Sequence, residues 1–140
     1  MTIRSFAPLA LLAAFPLMAG AQPDLSPGLW SYDAAYALGP IPLRESGTHC
    51  VDEAMAGRSY EALLNDINDN CRITSSDMRS DGYHFTMQCA GGPDGALQGH
   101  LSVDKDQAFL NAEGWTGTPQ DNVPVSLMAS AERISGTCAG

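Results

Sequence analysis

Residues 100–111 read HLSVDKDQAFLN, His100 to Asn111, and the register this stretch can adopt decides the fold. If Asp104–Gln107 form a four-residue loop, Val103 faces Ala108 and Leu101 faces Leu110. Carried outward, Gly99 faces Ala112 and Leu97 faces Gly114. Every pair is apolar or small, as expected when one face of a hairpin is buried and its register is pinned by that burial. Gly99, Ala112 and Gly114 leave little side-chain volume, which suits tight curvature, a bulge or a cavity. Phe109 and Trp115 fall on the opposite, otherwise polar face, and apolar rings there suggest contact with a helix or a partner.

The same period of two recurs on both sides. In GLWSYDAAYAL, Gly28 to Leu38, the residues Trp30, Tyr32, Ala34, Tyr36 and Leu38 alternate with Ser31, Asp33 and Ala35, the pattern of a strand with one buried face. The segment Pro40–Pro42 then turns the chain into a second strand over about Arg44–Cys50. CRITSSDM and YHFTMQC form another hairpin through RSDG, whose Gly82 can take positive φ. Its inward set is Ile73, Tyr83, Phe85 and Met87. The last strand runs through VPVSLMASAERISGTC to Cys138. Only Tyr60, Leu63, Leu64 and Ile67 have helical spacing, which predicts one short helix with a single apolar stripe. The expected fold is mainly β: an antiparallel meander of about seven strands, a curved half-barrel or a small barrel, with one short helix.

The start of the chain predicts export. Met1–Arg4 carry one positive charge, Phe6–Met18 form a short apolar run, and Ala19 and Ala21 bracket Gly20, as small-residue cleavage sites require. Cleavage is expected after Ala21, giving a leader over 1–21 and one domain over 22–140. The apolar run is shorter than the ~20 residues of a membrane span and is interrupted by Pro8 and Pro16, so no membrane anchor is expected after cleavage. The product is read as periplasmic or secreted.

All four cysteines, Cys50, Cys71, Cys89 and Cys138, follow that leader. An even count in a small exported domain reads as two disulfides, and their wide spacing argues against a zinc site. A turn near Ser80 or Asp81 brings Cys71 and Cys89 opposite one another or one diagonal step apart, which leaves Cys50 for Cys138. The pairing of Cys50 with Cys71 and Cys89 with Cys138 stays open, because a helix returning beside its own strand would also join those ends.

Charge narrows the function. Without the leader, six basic residues stand against 16 acids, a net charge of −10. Phosphate backbones and anionic membrane surfaces repel such a chain, so nucleic acid is excluded as a partner.

Four motifs together carry a resemblance: PGLW at Pro27–Trp30 just after the leader, CVDEAM at Cys50–Met55, two spaced cysteines, and RISGTC at Arg133–Cys138. In this ordered set the chain resembles the bacterial exported family described as domain of unknown function 3617. The resemblance implies an envelope protein with a β-rich body. It supplies no activity and no catalytic positions.

Candidate chemistry therefore comes from the residues alone. Asp66–Asp77 imitates a calcium loop, but Cys71 stands where the sharp turn needs glycine, and turn and strand follow where a helix should. His84 and His100 fall on the polar faces of adjacent strands. With the intervening turn centred on Pro93 they lie about one diagonal step apart, roughly 5–8 Å between β-carbons, close enough to share a metal. No third ligand is set by the pattern, and two solvated surface histidines are the plain alternative. Neither GxSxG nor HExxH occurs, so no catalytic residue and no cofactor is assigned. Trp30, Tyr32 and Tyr36 line or cap a concave face, or else fill the core. With Phe109 and Trp115 they are the candidate contacts for a small apolar ligand or an envelope protein. The function expected is a non-catalytic binding or envelope-maintenance module; a metal-dependent or hydrolytic enzyme with its site in the concavity is the alternative.

Overall fold

Strand-period alternation builds seven strands in the computed structural model, which describes residues 22–66, 68–91, 94–118 and 120–138. They are β1 (Gly28–Leu38), β2 (Ile41–Val51), β3 (Cys71–Arg79), β4 (Gly82–Cys89), β5 (Gly95–Asp104), β6 (Gln107–Gly117) and β7 (Asn122–Ser135). The leader assigned to 1–21, Ile67 of the apolar stripe and the turn at Pro93 lie outside the described residues.

All seven strands join one antiparallel sheet in the order β2-β1-β7-β6-β5-β4-β3. From β3 to β7 the chain is a simple meander, and β7 then closes onto β1 instead of forming an edge. The two edges, β2 and β3, do not pair with one another, so the open form of the expected curved sheet is the one found. The hairpin of residues 97–114 has the register read from its sequence: Val103 faces Ala108, Leu101 Leu110, Gly99 Ala112 and Leu97 Gly114. Asp104 and Gln107 also pair, so the loop is Lys105–Asp106 alone. Strand β2 likewise begins earlier than expected, at Ile41, because Gly39–Pro40 suffice to turn the chain. Pro42 is tolerated there since β2 is an edge strand.

Two short helices, α1 (Glu53–Ala56) and α2 (Tyr60–Asn65), carry the chain from β2 to β3, where the spacing predicted one. Each has its own cap. The Asp52 carboxylate accepts from the Met55 amide at 2.7 Å, and the Ser59 hydroxyl accepts from the Ala62 amide at 3.2 Å. Gly57 ends the first helix, so the passage breaks in two. Ser59→Ala removes the second cap and is expected to cost about 1 kcal/mol. The check is the urea midpoint, which should fall with an unchanged denaturant slope.

The buried cluster consists of Tyr60 and Leu64 from α2 against Cys71, Tyr83, Phe85, Met87 and Ala112 of the sheet. Tyr60 stacks on Tyr83 with ring centroids 4.9 Å apart. At Gly114 the neighbouring backbone comes so close that a β-carbon would stand 1.8 Å from the Ala96 carbonyl oxygen, so this small residue serves close strand approach.

Both disulfides tie strand ends. Cys71 is bonded to Cys89 directly across β3 and β4, with α-carbons 4.0 Å apart. Cys50, at the end of β2, is bonded to Cys138 beyond β7 at a Cα separation of 5.5 Å. Of the two pairings left open by the sequence, this one forms, and no cysteine is free among the described residues.

Candidate functional site

Cross-strand register divides the sheet into two faces. One carries Trp30, Ala34, Leu127, Ala112, Leu97 and Phe85, and α2 packs on it. Among the described residues no helix packs on the other. Along β6 it presents Phe109, Asn111, Glu113 and Trp115, which alternate with the inward Leu110, Ala112 and Gly114.

Trp30, Tyr32 and Tyr36 all belong to the first face. Trp30 is 3% exposed and its indole N–H donates to the Ser26 carbonyl at 3.0 Å, which makes it a core residue. Tyr32 extends over Gly47 of β2 and donates its hydroxyl to the Glu45 carboxylate at 3.1 Å. That hydrogen bond, with the carboxylate's charge, raises the Tyr32 pKa above the ordinary phenol value. The Tyr36 pKa is also raised, first by burial and then by the same Glu45. These aromatics do not meet Phe109 and Trp115, because the side chains of β1 and β6 that carry them point to opposite sides of the sheet.

The larger grooves lie on the helix-free face. One, of about 540 Å³, is lined by Trp115, Glu113, Gln98, Ala96, Pro124 and Thr86. A second, of about 500 Å³, contains His84, His100, Asn111 and again Gln98, Glu113 and Thr86. The shared residues make the two a single trough across β4, β5 and β6. A third groove, of about 610 Å³, continues at Phe109 between Ser102, Asp104, Ser130 and Glu132. Such volumes are those of small-molecule sites, but the trough is open and its floor mixes aromatic with polar side chains.

His84 and His100 are brought together more closely than the diagonal expected for them. They face each other directly across β4 and β5, with rings stacked at a centroid distance of 5.2 Å. Phe109 tilts against His100 at 6.1 Å. His84 Nε2 lies 2.7 Å from Asp81 Oδ1, and this hydrogen bond lowers the Asp81 pKa. Among the described residues no group of three or more His, Cys, Asp or Glu is placed to hold a metal ion.

Asn111, Glu113, Gln98 and Thr86 were not singled out in the sequence. The available signal was the run Phe109-x-Asn111-x-Glu113-x-Trp115, which places two rings, an amide and a carboxylate on one side of a single strand.

The family model described as "Protein of unknown function (DUF3617)" matches residues 25–138. Comparison with curated proteins and with solved structures finds no match.

Proposed function

The chain belongs to the DUF3617 family of proteins of unknown function, and from that premise we propose that it is an exported, non-catalytic binding module of the periplasm or extracellular space, whose ligand occupies the trough on the helix-free face. One observation carries this reading. Trp115, Glu113 and Gln98 converge with Asn111 and His100 on joined grooves of about 540 and 500 Å³ on the side of the sheet that no helix among the described residues covers. On β6 this face sets a half-buried tryptophan and an exposed phenylalanine on either side of Asn111 and Glu113. The leader-like start of the chain, together with two disulfides, supports the compartment.

A metal-dependent or hydrolytic activity is the reading to be separated from this one, and the stacked His84–His100 pair is what favours it. The test is a thermal-shift screen over aliphatic acids, neutral sugars and zinc, since any ligand of the folded form raises its melting temperature. A non-metal compound is expected to give a rise that shrinks in Asn111→Ala. A rise produced by zinc alone, and abolished when His84 and His100 are both changed to alanine, would replace the binding reading with the metal-dependent one. A rise untouched by Asn111→Ala would move the ligand out of the trough.

A further inference from the structure

Resting on the trough as a ligand site, we propose that its occupant is a neutral linear oligosaccharide lying along β6, with one sugar ring on Trp115 and another on Phe109. A pyranose has an apolar face of C–H groups and a rim of hydroxyls, so its site needs flat rings beside planar hydrogen-bonding groups. β6 supplies both in order: Phe109, Asn111, Glu113 and Trp115 lie on one side of one strand. An amide offers two donors and an acceptor, and a carboxylate accepts from two neighbouring hydroxyls. Gln98 and His100 add further groups from β5 directly beside them, facing Glu113 and Asn111. The two rings are six residues apart, or about 20 Å at ~3.3 Å per residue, roughly four pyranose repeats, so that the first and fifth rings of a chain would sit on them.

Charge sets the neutral requirement. Glu113, Asp104 and Glu132 line the grooves. Of the arginines bordering this face, Arg44 and Arg79 are each already paired, with Asp33 at 3.2 Å and Asp77 at 3.0 Å, and Arg72 at the Trp115 end offsets only one of these three acids. A polyanionic glycan would meet uncompensated carboxylates. An acyl chain fits worse for another reason: it would strip water from Asn111, Glu113 and Gln98 without returning a hydrogen bond, and buried polar groups left so are costly.

The test titrates the full exported domain with cellopentaose, chitopentaose and maltopentaose, with the matching disaccharides, with pentagalacturonate and with decanoate, while the Trp115 indole resonance is followed by NMR. At least one neutral pentasaccharide is expected to shift that resonance and to bind about tenfold more tightly than its disaccharide, which reaches only one ring. Phe109→Ala should weaken it about tenfold, while Trp115→Phe, which keeps a ring, should weaken it less than Trp115→Ala. Melting temperatures show whether each variant is folded, and Ile41→Ala, on the far edge of the sheet, is the control. Equal affinity for pentamer and dimer, or a Phe109→Ala variant that binds as well as the parent, would overturn the proposal. So would pentagalacturonate binding as tightly as the neutral sugars. If decanoate shifts Trp115 and no sugar does, the oligosaccharide is wrong and the trough remains a ligand site. If no compound shifts it, both fall together.

Discussion

Replacing Cys50 and Cys138 with serine is expected to lower the stability of the domain by about 4–5 kcal/mol, against about 3 kcal/mol for replacing Cys71 and Cys89, on the chain-entropy account of cross-links. The difference follows from the closures, which span 88 and 18 residues. Position matters as well as length. Cys50 ends the edge strand β2 and Cys138 follows β7, with β1 lying between those two strands. Other contacts hold the same corner: the Arg133 guanidinium donates to the Pro27 carbonyl at 2.9 Å and to the Asp106 carboxylate at 3.3 Å. These are hydrogen bonds at the surface and replace only a small part of a covalent closure. Urea unfolding of the two double variants, each compared with the parent, measures both costs. Equal midpoints for the two variants would contradict the entropic account.

Leu64→Ala is expected to cost about 3 kcal/mol, within the 2–5 kcal/mol usual for a leucine truncated in a core. Leu64 is 1% exposed, the most buried large side chain among the described residues. It sits on α2, the six-residue helix that covers the inner face beside Tyr83, Phe85 and Met87. So short a helix has little stability of its own and depends on this packing. Removal should therefore do more than leave a cavity. The amides of α2 should exchange faster than those of the central strands, and the Tyr60–Tyr83 stack should loosen. Urea midpoints read the cost and native-state hydrogen exchange reads the location. An unchanged midpoint, or uniform acceleration across the sheet, would show that α2 is not what the inner face depends on.

Much of the architecture was legible before any coordinates because a half-buried sheet writes its burial into every second residue. The alternation in Gly28–Leu38 and the pairs around Lys105–Asp106 could be satisfied in one register only. The turn at Gly82 was equally plain, and Gly82 does take a positive φ of 135°. Boundaries read less well where the signal was a proline. Pro42 looked like part of a turn, yet an edge strand accommodates it. The helical passage was read as one element because only α2 carries an apolar stripe; α1 buries no side chain and so left no such signal, and Gly57 and the Ser59 cap separate the two.

For the candidate site the balance is reversed. Rings on a strand advertise themselves, but whether they fill a core or floor a groove depends on what lies opposite. The alternation put Trp115 on a polar face and Trp30 in a set that could line a concavity or fill the core; α2 and the inner face are built around one side of the sheet, and the grooves lie on the other. The histidines were seen as neighbours and misplaced by one step, since moving the turn centre by one residue turns a diagonal pair into a facing one.

By itself the sequence determined the strand pattern, the register of the β5–β6 hairpin, the acidity and the family, because these are local or additive properties of the chain. Only the tertiary structure decided that β7 inserts between β1 and β6, which pairing of cysteines forms, and which face stays uncovered. Those depend on contacts between residues far apart in the chain, where period and composition carry no information about who meets whom.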